Sequence, residues 1–485
     1  MRVVIVIFLS LLTGVVGSSG VVRAASPADV DPVTEIARTR WTSTNSIRLL
    51  SGPVESWEAR LRLIESAENH IHITTFSWHD DHFGRLFREA LVDLIHRRRR
   101  TNPDFTVHCL VDATARGVFD VSFRELQRAG AKVRSFNPNS WGIGPLYDVR
   151  MHDKMIIVDG RRAIVGGRNL ADEYFEPLNW WLDFGVEIEG DAVWDLQMLF
   201  LKSWETSSYL SNPVRLPVAP ESLRHRIRTF WTTGRFPNGR SPLEPYMKAE
   251  YFPPVTVPPG ETEVAVLYDN PVLERTAPST ELLIELVNGA TDAIDLMTPF
   301  PNFSPELTDV LSAAVRRGVR VRLFVNGPGA SLRGGPWLIA GLPSVIKLIE
   351  SGVDVWAWAG NGDLDRLIEE AGCEPVIKPP MALHGKLARI DDEITIVHSS
   401  NFNIRSTYYN TEAGVVVRGR EFNRMVGELL DGLISLRDLE VQCGTDLDPL
   451  TVDRVVGRLG PDDLPALRKM LGNKQGLMDS MGLLW

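Results

Sequence analysis

The chain has 485 residues, 44% of them hydrophobic and 24% charged, with a formal net charge of −10 and an isoelectric point near 5.6. That length and apolar content suit an ordinary globular protein with room for two hydrophobic cores. The acidic balance argues against a nonspecific nucleic-acid binder, which needs a cationic field to displace counterions, although a local basic cleft is compatible with it.

Read in chain order, Arg2 is followed by an apolar run from Val3 to Val16, then small and polar residues, with Val22-Arg23-Ala24 suited to cleavage. Residues 1–24 therefore read as a secretory signal peptide. An uncleaved membrane anchor competes with that reading, because the apolar stretch can be extended to Val22. Either reading predicts export, to a periplasm or the outside, with a body that is soluble or peripheral to the membrane. The next elements are an amphipathic helix in ESWEARLRLIESAEN, a strand in HIHITTFSW, a helix capped by Asp80 or Asp81 that ends in HRRRR, and the strand FTVHCLVDA. The same order returns in TELLIELVNGATD, AIDLMTPF, SPELTDVLSAAVRRG and VRVRLFVNG. Alternating helix and strand predicts an α/β layered fold in each half, with a first domain over 41–211 and a second over 263–435. Residues 212–262 hold Pro213, Pro217, Pro220, Pro253, Pro254, Pro258 and Pro259 and read as a linker or covering segment. Residues 436–485 read as a tail of short helices. The three cysteines do not make a disulfide framework: Cys109 reads as a buried strand thiol, and Cys373 with Cys443 is a candidate pair.

The most specific pattern occurs twice. MHDKMIIVDGRRAIVGGRN holds His152, Lys154, Asp159 and Asn169, and LHGKLARIDDEITIVHSSN holds His384, Lys386, Asp391 and Asn401 at the same offsets. The copies lie 232 positions apart (384 − 152), close to half the chain, which makes them parts of a large internal repeat whose two half-sites can form one centre. Splitting a phosphodiester needs a nucleophile, an acid for the departing alkoxide, and cations on the non-bridging oxygens. Two His, two Lys and two Asn supply these. Histidine suits the proton steps because its reference pKa is about 6.5, and neutral imidazole is also a nucleophile. Period two along IIVDG and ARIDD predicts a strand, on which His and Lys two apart share a face. Asp159 and Asp391 read as structural partners in the strand turn.

The doubled His-x-Lys-x4-Asp motif resembles that of the phospholipase D superfamily. Trp78, Asp81 and Gly84, with GGRNLADEYF and NFNIRSTYYNTE, are similar to segments of its cardiolipin synthase branch, over residues 45 to 210 and 263 to 420. One departure is His398, where that family usually has glycine. The resemblance implies two similar α/β/α domains related by a pseudo-twofold axis, with the active site at their interface. It implies His152 as the nucleophile that forms a phosphohistidine, and His384 as general acid and then base. Lys154, Lys386, Asn169 and Asn401, with Ser399, would hold the phosphoryl oxygens, and no metal or other cofactor is required. It also implies a carboxylate about thirty residues downstream of each His to orient it, which places Asp183 and Glu412 in that role. The expected partner is a glycerophospholipid such as phosphatidylglycerol, met by peripheral membrane contact, and the expected reaction is cardiolipin synthase-like transfer of a phosphatidyl group to an alcohol. The alternatives are hydrolysis to phosphatidic acid, a secreted phosphodiesterase acting on nucleic acid, and a catalytically dead binding module. His70, His72, His79, Asp80, Asp81 and His82 suggest metal ligands, but their division between a strand and a helix start argues against a metal site. Arg97 to Arg100 reads as a solvated helix end, with binding of anionic headgroups as the alternative. Trp180 and Trp181 read either as a lipid contact or as packing near the site.

Overall fold

The computed structural model describes residues 39–113, 123–137, 149–210, 255–257, 262–271, 277–327, 330, 335–358, 368–370, 372, 375, 378, 380–435, 438–441, 450–453 and 456–471. All belong to one compact unit, Pro32–Trp485. Residues 1–24, expected to be a signal peptide or anchor, most of the 212–262 interval, Cys373 and Cys443 lie outside the described residues.

In the first half the strands are β1 (Ser46–Leu50), β2 (His70–Thr75), β3 (Thr106–Asp112), β4 (Lys132–Phe136), β5 (Arg150–Met151), β6 (Met155–Val158), β7 (Arg162–Gly166), β8 (Trp181–Leu182), β9 (Gly185–Glu189) and β10 (Val255–Val257). The second half supplies β11 (Glu263–Asp269), β12 (Ala293–Met297), β13 (Arg320–Asn326), β14 (Asp354–Trp358), β15 (Ala382–Leu383), β16 (Leu387–Ile390), β17 (Ile394–His398) and β18 (Asn410–Arg418). Then come β19 (Asp438–Val441), β20 (Leu450–Asp453) and β21 (Val456–Leu459). The first sheet runs β10-β1-β9-β7-β6-β2-β3-β4 and the second β11-β18-β17-β16-β12-β13-β14-β21. From β1 to β4 and from β11 to β14 the two orders correspond strand for strand. The senses correspond too: each set is antiparallel down to β2 or β12 and parallel from there. Parallel neighbours need a crossover, and the helices His82–Arg99 and Pro305–Arg316 provide it between β2 and β3 and between β12 and β13.

Local chemistry starts these helices where the sequence places them. Asp81, not Asp80, caps His82–Arg99 by accepting the Gly84 N–H at 3.0 Å, and Ser304 does the same for Pro305–Arg316 through Leu307, with Pro305 at the first turn. The arginine run at the end of His82–Arg99 braces the first half: Arg97 grips Glu65 through two bonds of 2.6 and 2.7 Å, and Arg99 donates to the carbonyls of Phe105 and Ala129.

The halves share a core. Phe422, Val426 and Leu430 of helix Arg420–Ser435 and Val415 and Val417 of β18 pack into the cluster built mainly from the first half, while a second cluster fills the space behind β12 and β13. Two short parallel pairings also cross the interface, β5 with β18 and β15 with β8. Two expectations need correction. Residues 255–257, inside the proline-rich interval, form β10 on the edge of the first sheet, because Val-Thr-Val favours an extended backbone that β1 can pair. The tail after 436 is not simply helical: β19 pairs β20, β21 extends the second sheet beside β14, and among the described residues helical turns follow at 461–471. Among the described residues no helix is long and apolar enough to cross a membrane.

Candidate active site

Both His-x-Lys triplets lie in three-residue breaks between strands, not on a strand as the period-two pattern suggests. β5 ends at Met151 and β6 begins at Met155; β15 ends at Leu383 and β16 begins at Leu387. At each break the chain leaves a pairing with the other half and enters its own sheet. The His152 N–H donates to the Thr411 carbonyl at 3.0 Å, and the His384 N–H to the Leu182 carbonyl at 2.7 Å. Since Thr411 precedes Glu412 and Leu182 precedes Asp183, each imidazole is delivered to the carboxylate of the opposite half.

The side chains complete that crossing. His152 Nδ1 lies 2.9 and 3.0 Å from the two Glu412 oxygens, and His384 Nδ1 lies 2.5 Å from Asp183 Oδ2. The expected downstream pairing, His152 with Asp183 and His384 with Glu412, is therefore corrected: the residues are the expected ones, but the partners are exchanged. The reason is topological, because the strand before each triplet runs parallel to the strand that carries the other half's acid. An ionised carboxylate only accepts, so the proton sits on Nδ1 of each ring and leaves Nε2 with its lone pair.

Electrostatics ties the two copies into one site. Burial drives His152 down to about 4 and His384 to about 3, opposed by their carboxylates and reinforced by Lys154 and Lys386. Burial also lowers Lys154 to about 7 and Lys386 to about 8, against the pull of Glu412 and Asp183. Burial alone would raise the two acids, yet the lysines and imidazoles hold both at about 2. Neutral imidazoles with ionised acids are the resting state at neutral pH. Lys154 Nζ donates to the His152 carbonyl at 2.6 Å, and Lys386 Nζ lies 2.7 Å from His384 Nδ1 and donates to the His384 carbonyl, so each lysine folds back on its own triplet.

The other expected residues divide into groups. Asn169 donates to the Tyr174 hydroxyl at 3.0 Å and accepts the Ser77 N–H at 3.2 Å, whereas the buried Asn401 Oδ1 has no partner among the described residues. Ser399 departs from the phosphate-holding role: its hydroxyl donates to Glu412 at 2.5 Å and accepts the Ala413 N–H, so it steadies the acid. Asp159 and Asp391 lie at the turns after β6 and β16 with φ of 53° and 49°. Asp159 accepts the N–H groups of Glu68, Asn69 and His70 at 2.8 Å each, and Asp391 accepts those of Thr291, Asp292 and Ala293. His398 is buried and is not among the residues with positive φ, so replacing glycine leaves the backbone unstrained there. Gly414 across the strand provides the room, since a Cβ on it would sit 2.1 Å from the His398 ring.

Aromatic rings that the motif reading did not single out wall the site. Phe76 meets the His152 ring edge-on at 5.3 Å; Tyr174 and Trp181 lie 5.3 and 5.5 Å from the His384 ring, and Phe300 lies 6.4 Å from it. The only available signals were Tyr174 in GGRNLADEYF and the pair Trp180-Trp181. Trp180 is fully buried and donates to the Lys378 carbonyl, which decides for packing over lipid contact at that residue. Of the histidine cluster, His70 bonds Gln197 and His72 stacks on Phe200, while His79, Asp81 and Glu173 bring one ligand atom each within 4.8 Å of one another, a geometry able to hold a cation. Asp81 is already committed to two N–H groups, of Gly84 and Asp172.

Comparison with known proteins gives a consistent result. The family described as cardiolipin synthase, PLD-like domain, matches residues 61–196 and 283–434. Cardiolipin synthase 1 of Bacillus anthracis is 23% identical over 371 residues, which cover 75% of this chain and 62% of that protein. The chain thus spans less than two thirds of that relative's length. Cardiolipin synthase C of Escherichia coli (strain K12) is 26% identical over 413 residues, covering 78% of this chain and 82% of that one. In fold, the chain is similar to the crystal structure of phosphatidylserine synthase from Haemophilus influenzae Rd KW20, with a TM-score of 0.56 at 16% identity over 92% of this chain and 97% of the other.

Proposed function

The chain belongs to the phospholipase D-like domain family of cardiolipin synthases, and from this and the site's geometry we propose that it transfers a phosphatidyl group between a glycerophospholipid and an alcohol. The crossed His–carboxylate pairs carry this reading, because they present two imidazoles in one fixed tautomer, beside two lysines, at a single site. Nε2 of His152 attacks phosphorus, forming a P–N bond as the P–O bond to the leaving alcohol breaks. His384, holding a proton on Nε2, gives it to the departing alkoxide. The anionic diester raises the proton affinity of His384, which supports its doubly protonated state, while His152 Nε2 faces phosphorus and keeps its lone pair. In the second half-reaction the neutral His384 takes the proton of the acceptor hydroxyl, whose oxygen attacks phosphorus and expels His152. Glu412 and Asp183 offset the positive charge that develops on each ring, and Lys154 and Lys386 offset the negative charge on the phosphoryl oxygens.

Transfer is preferred to hydrolysis because Tyr174, Trp181 and Phe300 surround His384 with apolar area on the acceptor's side, which disfavours water. Export and peripheral contact with a membrane surface belong to the same proposal. The test is mass-spectrometric product analysis after incubating the purified protein with phosphatidylglycerol vesicles, with and without added alcohol, beside single- and double-stranded DNA at low salt. A lipid product that changes with the alcohol is expected. DNA cleavage that disappears in His152→Ala, with no lipid product, refutes the lipid reading and leaves the phosphodiester chemistry standing.

A further inference from the structure

The residue that departs from the family pattern is wired to the nucleophile's side of the site. His398 ends β17 opposite Gly414, and the equivalent residue of the first half is Gly166. Its Nδ1 accepts the Ser400 N–H at 3.0 Å, so the ring's proton lies on Nε2, 3.1 Å from Ser279 Oγ. Ser279 in turn bonds Asp269 through its N–H at 2.9 Å and through its side chain. The polarity of the inner part of this line is therefore set: Ser400 N–H to His398, and His398 Nε2–H to Ser279. That direction rules out Ser279 as a nucleophile activated by His398, since the nitrogen facing it donates. Asp269 is also the register partner of Glu412 on the neighbouring strand. Between the two anchored points lies Ser399, whose hydroxyl donates to Glu412.

We infer that His398 is a positioning residue for the His152 branch: its imidazole clamps the 398–400 backbone so that Ser399 stays on Glu412 and Glu412 stays on His152. The first half does without such a clamp. There Gly167 lets the shorter Asp183 lie against the main chain, a Cβ on Gly167 being only 2.1 Å from Asp183 Oδ1, while the longer Glu412 is held by side chains. The two imidazoles are thereby supported by different means, and His398 belongs to one of them alone. The titratable groups around it are Glu412, His152 and Lys154 on the site side and Asp269 behind Ser279.

The clamp deepens the proposed chemistry and rests on it for a kinetic readout, so the experiment needs a second readout free of substrate. The variants are His398→Ala, His398→Asn, whose Oδ1 can replace Nδ1 as acceptor of the Ser400 N–H, and Ser279→Ala, which removes only the far anchor. Histidine 15N NMR of the full chain follows the titration of His152. His398→Ala is expected to move that titration by at least about half a pH unit and leave His384 in place, with His398→Asn close to the parent. In turnover of a phosphatidyl ester with a good leaving group, His398→Ala is expected to lower kcat about tenfold or more with KM little changed, and His398→Asn to recover most of it. An unmoved His152 in His398→Ala overturns the inference, as does an Asn variant no better than the Ala variant, which would reduce His398 to a core filler. If His398→Ala does not fold, Ser279→Ala carries the same His152 test. A parent enzyme inactive on every phosphodiester would sink the proposed function, while the NMR comparison would still decide the clamp.

Discussion

Replacing Glu412 by Gln is the sharpest test of the crossed site. The substitution keeps shape and size but removes the charge that faces His152 Nδ1 at 2.9 and 3.0 Å. In the proposed mechanism the ring becomes cationic when Nε2 bonds to phosphorus, and two unit charges about 5 Å apart at an effective dielectric of about 20 interact by about 3 kcal/mol. At about 1.4 kcal/mol per tenfold change, Glu412→Gln should slow formation of the phosphoenzyme by about 10² to 10³. The amide adds to the loss, because it can present N–H to Nδ1 and favour the tautomer with the proton on the attacking nitrogen. The assay is rapid-quench labelling with a phosphatidyl ester of a good leaving group, which needs little help from the acid and so isolates attack. Asp183→Asn acts on His384 through the 2.5 Å bond and should label almost normally, then lose the acceptor step. If Asp183→Asn abolishes labelling while Glu412→Gln labels at the parent rate, His152 is not the nucleophile that Glu412 serves, and the assignment of roles fails.

Both lysines sit below their ordinary range because burial outweighs the nearby acids, so between about pH 7 and 10.5 the unfolded chain holds more lysine protons than the folded one, and stability from these groups rises with pH across that window. A bound anion reverses the shift: dimethyl phosphate, which does not titrate near pH 8, should be taken up there with about one proton, and calorimetry in two buffers that shows no uptake rejects this account. Activity should survive EDTA treatment, since the lysines supply the charge a divalent ion would bring; loss restored only by a transition metal would bring His79, Asp81 and Glu173 into the mechanism. Asp159→Ala should cost about 2 kcal/mol, read by denaturant melts, because three N–H groups lose a charged acceptor to water and a Cβ residue without side-chain compensation is left at φ 53°; Asp159→Gly should cost less, and equal losses in both would show that the turn conformation contributes nothing.

The doubled motif made the repeat and its candidate site groups legible, since eight residues at equal offsets need no structure to be seen. The layered fold was legible for the same reason as any α/β chain: helical and strand periods alternate, and each half repeats the other. What could not be read was which acid meets which imidazole. Spacing along the chain favours the nearer acid, Asp183 for His152, but contact is decided by β5 lying beside β18 and β8 beside β15, two-residue pairings too short to leave a periodic trace. The placing of His and Lys on a strand failed for a related reason. The period-two signal came from residues after the triplet, and the triplet is the point where the chain changes partners. The tail misled in another way. Its strands Leu450–Asp453 and Val456–Leu459 hold strand-forming residues such as Val452 and Val456, but pairing β21 to β14 depends on an edge offered by a distant part of the chain.

The crossing also makes the two copies structurally interdependent. Each imidazole depends on the other half twice, through a main-chain bond that sets its position and a carboxylate that sets its tautomer. A half taken alone would keep its His and Lys but lose the acid, and a buried imidazole without its acid has nothing to decide which nitrogen carries the proton. Phosphoryl transfer of the proposed kind needs the opposite condition, two rings in a known tautomer with complementary tasks. The shared core, with Phe422, Val426 and Leu430 of the second half packed into the first, holds the halves in that relation. Apolar contact between the halves is therefore part of the chemistry: a substitution such as Phe422→Ala, about 3–5 kcal/mol in cost for a buried ring, should disturb both imidazoles at once although it touches neither. Histidine 15N NMR of that variant checks it, and two unmoved titrations in a folded Phe422→Ala would show that the core and the site are independent.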